Sequence, residues 1–318
     1  MKGLAKNAVN LVSIGADEAG QRLDNFLLAR LKGVPKSHVY KLVRAGQVRV
    51  NGARAEVSRR LAEGDEVRVP PVRTAAPPAV AAAAAPARLA AHVLFRDEFL
   101  LILDKPAGWA VHGGSGVARG VIEQLRLENP HARFMELAHR LDRETSGLLV
   151  VALKRRALLG LHEALREGRM DKRYLALAAG AWTGDTRDVR FPLHKYLLPS
   201  GERRVRVEAG GQAAHTRFAR LQRWPDYTLL EAQLKTGRTH QIRVHLAELG
   251  CPIAGDEKYG DFVLNKALEK QGLKRMFLHA WRLSFKHPVT GQTIELEAPL
   301  PPELQHFIDA LDRHAATL

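Results

Sequence analysis

The sequence holds one cysteine, Cys251, in 318 residues. That excludes an intramolecular disulfide and a cysteine-rich zinc site. Long hydrophobic runs are also missing. The longest uncharged, mostly apolar stretch, Thr74 to Ala87, is alanine interrupted by prolines, too short and too weakly apolar to cross a bilayer. Met1 to Asn10 lacks the apolar core of a signal peptide, so the expected location is the cytoplasm. Acidic residues are scarce: 34 Asp+Glu stand against 49 Lys+Arg, for a net charge of +15. An excess of this size favours a polyanionic partner, either nucleic acid or an anionic membrane surface. A solubility charge or a general arginine bias would leave the same signature. Hydrophobic residues make up 46%, enough for a globular core in one large domain or two smaller ones.

Composition breaks between Pro70 and about Ala91, where prolines alternate with alanines. A stretch of this kind is stiff and offers little to pack, which suits a linker better than a structureless loop inside one domain. The expected organisation is a small unit over 20–70, a linker over 71–90 and a large domain over 91–318. In the small unit Leu23, Phe26, Leu27 and Leu31 recur at helical spacing. Pro35 opens a second helix with Val39, Leu42 and Val43 as its apolar stripe, and Gly46 stops it. Val48 to Val50 alternates, Asn51-Gly52 signals a hairpin, and Glu66 to Val69 alternates again. Between Arg30 and Arg49 lie six cations and no acid: Arg30, Lys32, Lys36, Lys41, Arg44 and Arg49. Clustered cations of this kind suit a phosphate backbone, because binding releases condensed counterions. The segments Arg22 to Leu27 and Ser37 to Gly52 resemble an S4 RNA-binding domain. The resemblance implies binding to structured RNA, with Lys36, Lys41, Arg44 and Arg49 as RNA contacts, and does not by itself imply an enzyme.

Past the linker, strands outnumber helices. Leu100 to Leu103, Leu148 to Leu153, Tyr174 to Ala178, Tyr227 to Leu234, Trp281 to Phe285 and Thr293 to Glu297 read as strands. Ala157 to Glu167, His240 to Glu248 and Pro302 to Asp312 read as helices. The alternation is irregular, so the expected class is α+β and not a doubly wound parallel sheet. Familiar motifs fail: His162-Glu163 is followed by Arg166 where a zinc-protease helix needs histidine, and Gly114-Ser115-Gly116 by Arg119 where a dinucleotide loop needs glycine. Ser115 and Ser146 lack a nucleophile-elbow setting, and the histidines show no metal-ligand spacing. Neither a metal nor a nucleotide cofactor is expected.

One segment concentrates reactive side chains: Ala138 to Gly147, reading AHRLDRETSG, directly before an apolar strand. Asp142 stands there between Arg140 and Arg143, cations that favour its charged form. Local features fit a catalytic carboxylate and a salt-bridged structural loop equally. The string HRLDRETSG resembles the signature of the RluA family of pseudouridine synthases. Asp104 to Gly108 with His112, Lys172 to Ala176, Thr236 to His245, Pro252 to Asp256 and Phe277 to Ala280 are similar to further family motifs, in the same order. The likeness runs from about Val93 to Pro301. With an S4 unit in front, the arrangement is most similar to the RluC-type branch that acts on large-subunit ribosomal RNA.

That resemblance implies a mixed or largely antiparallel sheet behind a small α/β S4 unit, and an isomerase that detaches uracil from ribose, turns it and rejoins it through carbon 5. No atom is gained or lost, so one carboxylate suffices where glycoside hydrolases use two. Asp142 takes that role, attacking the sugar or abstracting its 2′ proton. Arg243 matches its basic partner, with a phosphate contact as the alternative. Tyr174 matches the tyrosine packed against the base, its face supporting the detached uracil or its hydroxyl helping to remove the carbon 5 proton, with a core position as the alternative. Arg140 matches the residue that fills the space of a flipped uridine, again with a phosphate contact as the alternative. Leu278 matches the pocket floor, and Lys105, His112 and Arg238 complete the implied substrate-binding set. Structured RNA is the implied partner, with a monomer and no obligate protein partner as the default. A non-catalytic ribosome-assembly protein and a transfer-RNA enzyme are the competing readings.

Overall fold

The computed structural model describes residues 8–31, 33–72, 88–113 and 119–316. Lys32, Gly114 to Gly116 and most of the expected linker lie outside these residues. Cα proximity yields two compact units. One holds the residues before Arg88 with the short segments His131–Phe134 and Lys154–Arg156; the other holds the rest.

The first unit contains β1 (Asn10–Ser13), α1 (Leu23–Arg30), α2 (Lys36–Arg44), β2 (Arg49–Val50), β3 (Ala53–Arg54) and β4 (Glu66–Val69). Its sheet is antiparallel, in the order β1-β4-β2-β3. The apolar stripes read from sequence are buried here: Leu23, Phe26 and Leu27 from α1, and Val39, Leu42 and Val43 from α2. Pro35 caps α2, and Gly46 follows it in the left-handed region, at φ 69°. Asn51 (φ 51°) and Gly52 (φ 74°) both adopt positive φ, as a two-residue turn between twisted strands requires. The sequence reading missed β1, which lies before Gly20 and pairs along its length with β4.

The second unit is built on one large sheet. Its main path is β10 (Thr186–Val189), β13 (Thr216–Arg223), β14 (Tyr227–Leu234), β9 (Asp171–Ala179), β15 (Leu278–Lys286), β8 (Ser146–Ala152), β6 (Leu100–Lys105) and β5 (Val93–Arg96). β16 (Thr293–Glu297) adds to β15, and β7 (Glu136–Leu137) to β8. A separate hairpin joins β11 (Leu193–Leu197) and β12 (Arg203–Val207). Helices α3 (Val121–Glu128), α4 (Arg155–Arg166, from Ala157 on), α5 (Gln241–Glu248), α6 (Phe262–Lys270) and α7 (Pro302–Ala315) complete the unit. The fold is α+β, and the large sheet is mixed: β8 and β15 run parallel, and the other pairings are antiparallel. All seven residues of β8 are buried, which explains why its sequence reads as a continuous apolar run and not an alternating one. Among the described residues no helix is long and apolar enough to cross a membrane.

Candidate active site

The loop of residues 138–145 leads into β8 at the centre of the sheet. Gly147, the second residue of β8, fixes where the loop ends. It sits at φ 106°, and a Cβ there would meet the Ala280 carbonyl oxygen at 2.2 Å, so only glycine lets β8 and β15 approach at this point. The loop is also pinned from the side. The Gly108 N–H donates to the Arg143 carbonyl at 2.9 Å, and Arg143 Nε donates back to the Gly108 carbonyl at 3.0 Å. Lys105 Nζ donates to the carbonyls of Pro106, Trp109 and Arg143 at 2.8, 2.9 and 3.1 Å.

Opposite the loop stands α5, entered through His240 in the left-handed conformation, at φ 53°. The first six residues of α5 are buried, so the one-sided stripe expected from Ile242, Leu246 and Leu249 understates how deeply the helix is sunk. Arg243 projects from it between two carboxylates. Its Nη1 donates to Asp142 Oδ2 at 3.1 Å, while Nε and Nη2 form a fork on Asp256 at 2.7 and 2.8 Å. Asp256 Oδ1 also accepts the N–H groups of Lys258 and Tyr259. Side-chain exposure is 0% for Asp256, 6% for Arg243 and 16% for Asp142, so the chain of charges rises from the core to an accessible end. Burial works against the Arg243 charge, but the hydrogen bonds and charges of Asp256 and Asp142 outweigh it and raise its pKa.

Tyr259 and His240 complete the setting. The Tyr259 hydroxyl accepts the Val205 N–H at 3.0 Å, which leaves its proton for His240 Nδ1 at 2.8 Å. Nε2 is then the protonated nitrogen of His240, 3.7 Å from Asp142 Oδ2. Burial lowers the His240 pKa despite the Asp142 charge, which favours the neutral ring. Asp142 Oδ2 is thus held from two sides. Oδ1 has no hydrogen bond among the described residues.

Asp142, Arg243, Tyr174, Leu278, Arg140 and Arg238 meet at one cavity of about 500 Å³. Tyr174, on β9, is 6% exposed, and burial followed by the Asp142 charge raises its pKa. Leu278, the first residue of β15, pairs with Ala176 beside it. Arg140 and Arg238 are exposed at the cavity, and the Arg238 Nε donates to the Ala213 carbonyl. Two of the expected substrate contacts are not at this cavity. Lys105 is fully buried, with its three donors on main-chain carbonyls, so it supports the Asp142 loop and is not available to substrate. Burial, then the Arg275 charge, pulls its pKa down to about 7. His112 is exposed and outside the cavity lining. In the first unit Lys36, Lys41 and Arg44 stand on the exposed side of α2, away from its buried stripe, and Arg49 is exposed on β2.

The sequence reading gave no role to His240, Asp256, Tyr259 or Lys172, although three of them sit inside segments it singled out. Strand periodicity was a usable signal for Lys172, which shares a face with Tyr174. Among the described residues no group of three or more His, Cys, Asp or Glu is placed to hold a metal ion.

A family model described as RNA pseudouridylate synthase matches residues 99–248, and one described as S4 domain matches residues 21–67. The chain is 53% identical over 310 residues to a protein of Yersinia pestis named ribosomal large subunit pseudouridine synthase C, covering 96% of this chain and 97% of that one. It is 50% identical over 309 residues to the protein of that name from Escherichia coli K12, with the same coverage. Among solved structures, human RNA pseudouridylate synthase domain containing 4 aligns with a TM-score of 0.58 at 28% identity, over 70% of this chain and 94% of that one.

Proposed function

Because the chain belongs to the RNA pseudouridylate synthase family and is an isomerase of that kind, we propose that it converts specific uridines of large-subunit (23S) ribosomal RNA to pseudouridine, with Asp142 as the carboxylate that breaks and remakes the glycosidic bond. The observation that carries this reading is the division of labour at Asp142. Arg243 and His240 hold Oδ2, Oδ1 is left without a protein partner among the described residues, and Tyr174 lines the same cavity. A carboxylate anchored by one oxygen reaches the sugar with the other, as nucleophile at C1′ or as base toward the 2′ proton. Arg243 is held in turn by the buried Asp256, so it is positioned before substrate arrives.

A cavity of about 500 Å³ suits one nucleoside and not a stacked helix. The uridine is therefore flipped out, at a cost of a few kcal/mol. Arg140, exposed at the cavity and without an ion-pair partner among the described residues, takes the vacated place. Tyr174 supports the detached base with its face. Lys36, Lys41, Arg44 and Arg49 supply affinity for folded RNA that does not depend on sequence, while the catalytic domain selects the base. In this reading 20–70 is the RNA-binding domain, 71–90 the linker and 91–318 the catalytic domain. The protein acts in the cytoplasm as a monomer with RNA as its partner. The isomerisation moves one bond and transfers no electrons, so it calls for no redox cofactor.

The test is pseudouridine mapping on large-subunit RNA from cells with and without the gene, complemented by wild type or by Asp142→Asn. Sites that vanish and return only with wild type support the reading. Full restoration by Asp142→Asn removes Asp142 from the chemistry, and no change at any site removes large-subunit RNA as the substrate.

A further inference from the structure

Among the cavity's cations without a task in the mechanism above, Lys172 is the one that is partly buried. Lys172 lies on β9 two residues before Tyr174, so the two side chains project from the same face of the strand. Arg173 between them faces the other way, paired with Asp171 and Glu231. Lys172 lines the cavity, and its Nζ lies against Gly237, where an added Cβ would be 3.5 Å away. Among the described residues it has neither a carboxylate partner nor a hydrogen bond. Burial lowers its pKa, with no neighbouring acid to offset the shift. The neighbouring ring cannot compensate: His139 accepts the Val150 N–H on Nε2 and is pushed down to about 3 by burial and by the Lys172 charge, so it is neutral. A partly desolvated ammonium with no partner costs free energy in the empty protein, and a ligand of opposite charge recovers it.

Depth identifies that ligand. Arg140, Arg166, Lys235 and Arg238 are the exposed cations of the cavity, open to a phosphate backbone, whereas Lys172 is partly buried beside Tyr174. A flipped nucleotide sends its base to that depth and keeps its phosphates outside. When the N1–C1′ bond breaks, its electron pair stays on uracil and spreads over N1 and the two carbonyl oxygens. When C1′ bonds to C5 that pair is consumed and the ring is neutral; the C5 proton then leaves, N1 takes up a proton, and no atom is gained or lost overall. We propose that the Lys172 ammonium donates a hydrogen bond to a uracil carbonyl and stabilises the charge that the ring carries while it is detached. The proposal rests on the reading of Asp142 given above.

The test is single- and multiple-turnover kinetics of Lys172→Met on a large-subunit RNA fragment, with Asp142→Asn alongside and a thermal melt of each protein. Methionine keeps the length of the stem and removes the charge. The expected result is a fall in kcat of about 100-fold, with KM unchanged and a melting temperature equal to or above wild type, since an uncompensated cation has been removed. The salt dependence of RNA binding should keep its slope. A raised KM at unchanged kcat, with a shallower salt slope, would make Lys172 a phosphate contact and overturn the proposal. A lowered melting temperature would make it structural and overturn it equally. Wild-type kinetics in Lys172→Met beside an inactive Asp142→Asn would defeat only this proposal, whereas an active Asp142→Asn would defeat the reading beneath it.

Discussion

Asp256→Asn isolates what the buried end of the charge chain contributes. Asp256 is fully enclosed and holds Arg243 by a two-point fork at 2.7 and 2.8 Å, while the same side chain accepts two backbone N–H groups. Asparagine keeps one oxygen for those N–H groups but turns an NH2 toward a guanidinium that only donates. Breaking a buried pair from one side costs about 3–5 kcal/mol, and the retained oxygen places this variant near 3. For a domain of this size that corresponds to a melting temperature lower by about 6–12 °C. Arg243 also loses its second anchor, so kcat should fall while KM for RNA holds. Adding Arg243→Met removes the stranded donors, and the double variant should melt above Asp256→Asn while staying inactive. Burial opposes ionisation of Asp256, but the hydrogen bonds and charge of Arg243 with the two N–H groups outweigh it and lower its pKa. A depressed carboxylate stabilises the fold above its unfolded pKa, about 3.9, and that contribution is lost as pH falls through the lower folded value. The melting deficit of Asp256→Asn should therefore be full near neutrality and shrink below about pH 4. Circular-dichroism melts across that range check it. A variant melting within a degree or so of wild type near neutrality would refute the claim that the pair organises the site.

Gly147→Ala places a Cβ 2.2 Å from a backbone oxygen at a φ of 106°, and should cost more than about 3 kcal/mol, read as loss of soluble protein or a collapsed melt. Burial and the Asp142 charge raise the Tyr174 pKa, so the hydroxyl keeps its proton. The pH–rate profiles of wild type and Tyr174→Phe should run parallel up to about pH 10, and an alkaline limb present only in wild type would contradict this. Replacing Lys36, Lys41, Arg44 and Arg49 together by alanine should raise KM at unchanged kcat and reduce the slope of log KM against log salt by about 0.7–0.9 for each phosphate no longer neutralised.

The parts legible in the sequence were those whose signal is local. The α1 and α2 stripes, the Asn51-Gly52 turn and the apolar run of β8 each follow from neighbours in sequence, and each is where its pattern placed it. The region from Thr186 to Arg223 was opaque for the converse reason. Its strands β10, β11 and β12 are short and charged, with one buried residue each, and show neither period clearly. α3 and β1 were missed because both are short and lie beside stretches that drew other readings.

The site divides along the same line. Asp142 and Arg243 are 101 residues apart, and only the ordered motifs of a family resemblance linked them. Lys105 shows how such a link overreaches. A lysine within a motif invites a substrate role, yet an ammonium at zero exposure with three carbonyl acceptors has no donor left to give. Lys172 shows the opposite error, since alternation on one strand already set it beside Tyr174. Both residues are lysines next to recognised motifs, and what separates them is whether the fold supplies acceptors for the ammonium. A buried cation with its acceptors present holds a structure together. A partly buried cation without them, facing a cavity, is waiting for an acceptor that substrate must bring.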